Sequence, residues 1–339
     1  MHSSDTNFPL SRHLLYSYAP DWICTVVFSA AFLSLETIDG FRREFSVEDQ
    51  AISHPYAVHE RVPNFALYMV CLVAPFILQA AVNYWTVRSF WDSHNSSLGL
   101  VLALALTGSI TQVTKVTVGR PRPDLLDRCQ PPPGLSDPEY KLFDSSICTQ
   151  TNLRIMRDGF RSFPSGHSSM SFAGLGFFAF YLAGKVHLFD RRGTAPKAWV
   201  SLTPFIGAAL VAISRTMDYR HHWQDVLVGS VLGTIMAYFS YRLYYPPLTS
   251  KHSHQPYAPR GSIPLEPDYG DDEAEELLPH HSRRNSWEEH RQDGTNESSV
   301  VPGTVRRGEA AHLEEYWRDS RETSQHPPRV STDRGDQRV

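Results

Sequence analysis

The 339-residue sequence predicts an all-α fold: a bundle of six transmembrane helices followed by a disordered C-terminal tail. The first observation behind this prediction is a series of apolar runs, each close to the roughly 20 residues that a helix needs to cross a bilayer. The second is that these runs end near Tyr245, so the mean hydropathy of −0.32 averages over two unlike parts of the chain. The third is the polar composition of everything that follows.

Six predicted spans account for most of the first 245 residues. In chain order they are residues 20–38, 64–87, 98–118, 168–188, 198–217 and 224–245. The first span is short and lies between Asp21 and Glu36, so a tilted or interfacial helix is an alternative there. The fourth is rich in Ser, Gly and Phe, and small residues of this kind suit close packing between helices in a membrane.

An even number of spans places both termini on one face of the membrane. The loops 39–63, 119–167 and 216–223 then share the opposite face. These loops hold more Lys and Arg than the others, which would make their face cytosolic by the positive-inside rule. A disulfide between Cys129 and Cys148 would instead require a lumenal or external face. From these two indications alone, the orientation and the disulfide both stay open.

The tail, residues 246–339, holds 12 Lys/Arg and 18 Asp/Glu with only isolated apolar side chains. It cannot bury enough surface to offset the entropy of ordering, so we predict that it is disordered. Two short motifs in it resemble an acidic dileucine sorting signal, Glu273–Leu278, and a basophilic kinase site, Arg283–Ser286. They suggest a sorting adaptor and a kinase as partners, although such motifs arise easily by chance. The chain lacks the clustered basic residues of a nucleic-acid binder.

Three polar clusters flank the spans on one predicted face, and the first contains Lys115 and Arg122. Lys115 lies near the end of the third span, and Pro121 and Pro123 hold Arg122 on an extended segment. An ionisable residue inside a span is functional by default. A lysine this close to the end of a helix can also extend to the interface, which is the alternative explanation.

The second cluster is the turn Pro164-Ser165-Gly166-His167, which leads into the fourth span. A turn that opens a helix presents backbone N–H groups and the positive end of the helix dipole, and these bind anions. Ordinary helix capping by Ser165 is the competing explanation, and for this cluster taken alone it is the more common one.

The third cluster surrounds His221, between the fifth and sixth spans. Arg215 precedes it, and Asp225 follows it by four residues. If the last helix begins near His221, Asp225 lies one turn away on the same face, where it can fix the tautomer of the imidazole and raise the basicity of its free nitrogen. A histidine in this setting can attack phosphorus, bind a metal or cap a helix.

Together the clusters place fixed cations, a helix N-terminus, two histidines and a carboxylate on one face. The cations and the N-terminus match the charge of a phosphate, and the histidines match the nucleophile and proton-transfer roles of phosphoryl transfer. A metal site would need more carboxylate, cysteine or histidine ligands, and the Lys and Arg side chains would repel a metal ion. The sequence therefore predicts phosphoryl transfer with no metal and no other cofactor.

The order and spacing of these residues resemble the type 2 phosphatidic acid phosphatase, or lipid phosphate phosphatase, superfamily. The matching positions are Lys115, Arg122-Pro123, Pro164-Ser165-Gly166-His167, Ser214-Arg215, His221 and Asp225. The resemblance covers roughly residues 20–245, and the loop around residues 41–63 is similar to that of fungal diacylglycerol pyrophosphate phosphatases. The tail lies outside it.

The resemblance implies a role for each motif residue. His221 would be the nucleophile that forms a phosphohistidine, Asp225 would orient and activate it, and His167 would protonate the leaving oxygen. The phosphoryl oxygens would be bound by Lys115, Arg122, Ser165, Gly166 and Arg215. The resemblance also implies a site that faces a lumen, with residues 1–19 and the tail in the cytosol. With the dileucine-like element, it points to an endomembrane such as the vacuole, Golgi or endoplasmic reticulum.

The expected substrates are diacylglycerol pyrophosphate and phosphatidate, presented from the bilayer. Sphingoid-base phosphates and polyprenyl or dolichyl pyrophosphates are alternatives. Vanadate-dependent haloperoxidases share this phosphate pocket but are typically soluble, so six spans argue against that class. A non-catalytic, lipid-binding relative would be expected to lack one of the motif residues, and the sequence retains them all.

Weaker expectations attach to other polar residues near the motifs. His222 is expected to be positional, because the spacing selects His221. Four arginines could contact the second phosphate of a pyrophosphate or could be solvated loop charges: Arg120, Arg157, Arg161 and Arg220. Four loop residues are expected to shape the entry to the site: His54, His59, Glu60 and Arg61.

Overall fold

The computed structural model describes residues 7–190 and 193–260, with side chains from residue 16 onward. All of these residues belong to one of the two compact units into which the chain divides. Regular structure over the described residues is helical, apart from isolated β-bridges such as the one between Phe45 and Phe143. The predicted all-α class is therefore confirmed.

Eight helices run through the described residues. They are α1 (Asn7–Leu35), α2 (Asn64–Trp85, which includes a π-helical turn), α3 (Phe90–Val118), α4 (Leu125–Cys129), α5 (Leu153–Gly159), α6 (Gly166–Lys185), α7 (Ala195–Met217) and α8 (Trp223–Tyr244). Five of them are long and apolar enough to cross a membrane, namely α1, α2, α3, α7 and α8. With the 20-residue α6, they form the predicted bundle of six long helices.

Helix α6 lies at the centre of the bundle, where it packs against α8, α7, α3 and α2. Its small residues allow this packing. A Cβ atom at Gly174 would lie 1.9 Å from the carbonyl oxygen of Cys71 in α2, and one at Gly233 in α8 would lie 2.3 Å from that of Ser169 in α6. The Gly and Ser residues that lower the hydropathy of α6 are thus the residues that allow neighbouring helices to approach it closely.

Helix α3 begins at Phe90, eight residues before the predicted start. Ser89 caps it by accepting a hydrogen bond from the backbone N–H of Asp92. The first turns look polar in the sequence, but they are buried: Asp92 is fully buried, pairs with Lys185 at 2.7 Å and accepts a hydrogen bond from Tyr181. The apolar pattern could not show these turns because their polar groups are satisfied inside the bundle.

The packed part of the chain continues past residue 245, where the predicted tail begins. Residues 246–260 pack against the helices: the carbonyl of Tyr257 accepts a hydrogen bond from Trp91 at 2.9 Å, and Arg260 pairs with Asp21 at 2.8 Å. Polar contacts of this kind leave no apolar pattern in the sequence. Residues 261–339, with both of the short tail motifs, lie outside the described residues.

The loop between α3 and α6 has a disulfide and an apolar cluster of its own. A disulfide joins Cys129 and Cys148, whose Cα atoms are 4.6 Å apart. A second apolar cluster surrounds it, built from Phe45, Ile52, Leu125, Cys129, Met156 and Phe160. This loop and the α1–α2 loop therefore meet, and both border the site described next.

Candidate active site

A cavity of about 690 Å³ lies where α3 and α7 end and where α6 and α8 begin. Six of the eight predicted site residues line it: Lys115, Arg122, Gly166, His167, Arg215 and His221. The other two, Ser165 and Asp225, are fully buried and contact the site through neighbouring groups. The structure thus brings the three sequence clusters together in one place.

His221 lies just before α8 and is only 4% exposed. Its Nδ1 is 2.7 Å from the carbonyl oxygen of Ser162, and its Nε2 is 3.5 Å from Nη1 of Arg122. Because a carbonyl can only accept a hydrogen bond, Nδ1 carries the proton, and the lone pair of Nε2 is left toward the guanidinium and the cavity. This is the tautomer that a nucleophilic imidazole needs.

The charge state of His221 also suits a nucleophile. Burial and, after it, the positive charge of Arg122 together lower the pKa of His221 to about 3. The imidazole is therefore neutral throughout the physiological pH range.

Asp225 stands beside the histidine but does not contact it directly. Its Oδ2 is 3.9 Å from Nδ1 of His221, because α8 begins at Trp223 rather than near His221. The carboxylate instead accepts hydrogen bonds from the Ser162 hydroxyl at 2.5 Å and from Arg120 at 2.7 Å. Ser162 therefore connects the two residues, and the motif spacing gave no sign of its role.

Residues flanking His221 contribute to the position of Asp225. The backbone N–H of His222 donates to Asp225 at 3.1 Å, and the His222 ring is 3.3 Å from the same carboxylate. His222 thus occupies the N-cap of α8, in agreement with the positional role expected for it. Arg120 pairs with Asp225, so this arginine is not a solvated loop charge.

The phosphate-binding candidates surround the start of α6. A Cβ atom at Gly166 would lie 3.3 Å from Nζ of Lys115, so the glycine leaves room between the ammonium group and the helix N-terminus. Ser165 caps α6 through its hydroxyl and donates its backbone N–H to the carbonyl of Asp225 at 3.0 Å. Capping and anion binding are therefore compatible here, since the first N–H groups of a helix have no intrahelical partner.

Glu60, from the α1–α2 loop, lies inside the site. Its carboxylate oxygens are 2.7 Å from Nη1 of Arg215 and 2.8 Å from Nη2 of Arg220. Arg215 also pairs with Asp218 at 3.1 Å. Glu60 was expected only at the entry to the site, yet its carboxylate bridges two cations in the way that a phosphate group would.

Asp158 is a further carboxylate of the site, half-buried, that the sequence did not indicate. It accepts hydrogen bonds from Arg122 at 2.7 Å, from Arg128 at 2.9 Å and from Arg220 at 3.0 Å. Burial alone would raise the pKa of Asp158, but these arginines outweigh it and hold the pKa far below its usual range. Burial lowers the pKa of Arg122 to about 10, which leaves the guanidinium charged at neutral pH.

His167, at the first turn of α6, lines the same cavity. Its Nε2 is 2.9 Å from the carbonyl oxygen of Val62 and 3.9 Å from Glu60. Because the Val62 carbonyl only accepts, Nε2 carries a proton directed at the α1–α2 loop.

Two of the remaining predicted arginines have structural partners. Arg157 pairs with Asp39 at 2.6 Å, and Arg161 donates to the backbone carbonyl of Glu36 at 2.9 Å. Both still line the cavity. Over the described part of the chain, no three His, Cys, Asp or Glu side chains converge as metal ligands.

Comparison with known proteins shows the family. The model of the PAP2 superfamily matches residues 96–247, which include every predicted site residue. A probable diacylglycerol pyrophosphate phosphatase 1 of Schizosaccharomyces pombe is 38% identical over 239 residues, 69% of this chain and 84% of the relative. The chain belongs to the PAP2 superfamily.

Two more PAP2 relatives match over a similar extent. Diacylglycerol pyrophosphate phosphatase 1 of Saccharomyces cerevisiae is 42% identical over 67% of this chain and 79% of its own length. Lipid phosphate phosphatase 2 of Arabidopsis thaliana is 37% identical over 71% of this chain and 79% of its own length. No solved structure matches. These relatives confirm the predicted family, and the chain is an integral membrane enzyme of the phosphatase class.

Proposed function

We propose that this PAP2 protein hydrolyses diacylglycerol pyrophosphate and phosphatidate through a phosphohistidine on His221, without a metal ion. The observation that carries the proposal is the state of His221: neutral, buried, with Nδ1 hydrogen-bonded to Ser162 and Nε2 toward a cation-lined cavity. The names of the fungal and plant relatives indicate lipid phosphates as the substrate class.

In the first proposed step, the Nε2 lone pair of His221 attacks phosphorus while the bond from phosphorus to the leaving oxygen breaks. His167 gives its proton to that oxygen, so diacylglycerol leaves from phosphatidate, and phosphatidate leaves from the pyrophosphate. In the second step, water gives a proton to His167 and attacks the phosphohistidine. Inorganic phosphate is released, and Nε2 regains its lone pair.

The transition state would be stabilised by fixed cations. Lys115, Arg122 and Arg215 line the cavity, and charge-assisted hydrogen bonds from such groups match the oxygens of a transferring phosphoryl group. The carboxylates that line it, Glu60 and Asp158, are each paired with arginines. Metal-independent chemistry is consistent with this charge arrangement, because a metal ion would meet more cations than free carboxylates.

The site is proposed to face the lumen of an endomembrane compartment. The Cys129–Cys148 disulfide lies in the loop that borders the cavity, and disulfides persist in oxidising compartments. This indication outweighs the positive-inside count, since many of the arginines in these loops belong to the site and are placed for its chemistry.

Phosphate release from pure protein in detergent micelles tests the proposal. Wild-type protein with EDTA present should release phosphate from both lipids, and His221→Ala should reduce the rate by at least about a thousandfold because the nucleophile is lost. His252→Ala, an exposed histidine beyond α8, is the matched control and should retain full activity. Activity that EDTA abolishes, or that survives His221→Ala, contradicts the mechanism.

A further inference from the structure

The cavity extends well beyond the groups that would hold a phosphate. On α3 its lining continues from Lys115 to Gln112, Thr111 and Gly108, which lie on one face of the helix at spacings of three and four residues. With a rise of 1.5 Å per residue, this row descends about 10 Å from the ammonium group toward the middle of the membrane-spanning helix. The row is called the α3 stripe below.

The walls beside the stripe are largely apolar and come from different helices. Phe32 of α1 and Leu67 and Tyr68 of α2 also line the cavity. A Cβ atom at Gly108 would lie 2.9 Å from the Phe32 ring, so the glycine admits the aromatic ring at this level. The cavity is therefore polar at the membrane face and apolar further in. A lipid phosphate has the same sequence of a charged headgroup followed by apolar chains.

Gln112 is the polar group between these two zones. It is 9% exposed, and its Oε1 is buried without a hydrogen-bond partner among the described residues. Leaving a buried polar atom unpaired costs about 1–3 kcal/mol. An amide can also rotate to present either its oxygen or its N–H₂ group. A ligand with a polar atom one helical turn from its phosphate would satisfy the side chain.

We propose that the α3 stripe binds the glycerol backbone and first acyl carbons of a lipid phosphate, with Gln112 hydrogen-bonded to an ester or hydroxyl oxygen next to the phosphate. This inference rests on the proposed function and adds a residue that discriminates lipid from soluble phosphate esters. Lys115 holds the phosphate, Gln112 the glycerol oxygens, and Gly108 with Phe32 and Leu67 the start of the acyl chain.

The test compares two substrates in one set of variants: long-chain phosphatidate in mixed micelles and the soluble ester p-nitrophenyl phosphate. Gln112→Leu keeps the volume but removes the hydrogen bond. It should lower kcat/KM for phosphatidate by roughly tenfold, the worth of one hydrogen bond, and change it less than twofold for the soluble ester. Thr117→Val is the control, because Thr117 is exposed on the opposite face of α3 and bonds only its own helix in that region.

Phe32→Ala provides an independent variant that leaves every hydrogen bond of the stripe unchanged. Removing the apolar wall should raise KM for phosphatidate and leave hydrolysis of the soluble ester intact. Equal losses on both substrates, or no loss in Gln112→Leu, overturn the inference. Wild-type protein that cleaves p-nitrophenyl phosphate but no lipid phosphate would instead contradict the proposed function.

Discussion

At the residue scale, Asp225 and His221 are linked through Ser162. The carbonyl of Ser162 holds Nδ1 of the histidine, and the hydroxyl of the same residue holds the carboxylate. The charge of Asp225 can still stabilise an imidazolium-like phosphohistidine at 3.9 Å. Ser162 is thus a positioning residue for the proposed nucleophile.

The pairing of Glu60 with two arginines predicts how its removal changes substrate binding. A substrate phosphate must displace its carboxylate from Arg215 and Arg220, so Glu60→Gln should lower KM for phosphatidate by about fivefold, or ~1 kcal/mol, with kcat little changed. Inhibition by inorganic phosphate should strengthen in parallel, which an initial-rate assay measures.

Glu44→Gln is the matched control for this change, because Glu44 is exposed in the same loop and does not line the cavity. A higher KM or a collapse of kcat in Glu60→Gln would show that the carboxylate assists catalysis rather than competing with the substrate.

The residues that line the cavity could be predicted from the sequence, but the residues that hydrogen-bond to them and fix their positions could not. Lys115, His167 and His221 sit at fixed offsets from helix ends, so spacing and the membrane pattern bring them together. Ser162 and Asp158 lie in an irregular loop, where contacts depend on a tertiary path that no periodicity records. Glu60 was expected nearby, but its pairing with Arg215 joins residues 155 positions apart.

At the element scale, the α3–α6 loop carries Arg122, Asp158 and Ser162, so its order determines the shape of the site. The disulfide ties the two ends of a 19-residue stretch within that loop. In the chain-entropy model, closure of a loop this long is worth about 3 kcal/mol. The helices predicted from hydropathy were found, although α1 begins 13 residues and α3 eight residues before the predicted starts. The loop could not be predicted, since its core is built from residues distant in sequence.

The disulfide also tests which face the loop occupies. Protein purified from membranes without reductant should show Cys129 and Cys148 protected from maleimide labelling until it is reduced. Cys148→Ser should lower Tm and activity, because Arg122 and Asp158 lose their support. Free thiols at both positions in the native protein would contradict the disulfide and the lumenal orientation proposed from it.

At the scale of the whole molecule, the cavity lies at the membrane face and continues along α3 between α1 and α2. In the proposed reaction, the headgroup would meet the cations while the acyl chains remain among the helices. Composition and hydropathy predicted only that the site lies on one membrane face of the bundle. The packing of segment 246–260 depends on polar contacts such as Arg260–Asp21, whose residues look hydrophilic in the sequence.

The central claim is that His221 carries the phosphoryl group. Rapid acid-free quenching of the enzyme with diacylglycerol pyrophosphate labelled on its terminal phosphate, followed by tryptic digestion and tandem mass spectrometry, tests it directly. The phosphoryl group should be found on His221, in the peptide that begins after Arg220, and should be absent from His221→Ala. Label on His222 or on a carboxylate, or hydrolysis with a rapid burst and no labelled histidine, would contradict the account.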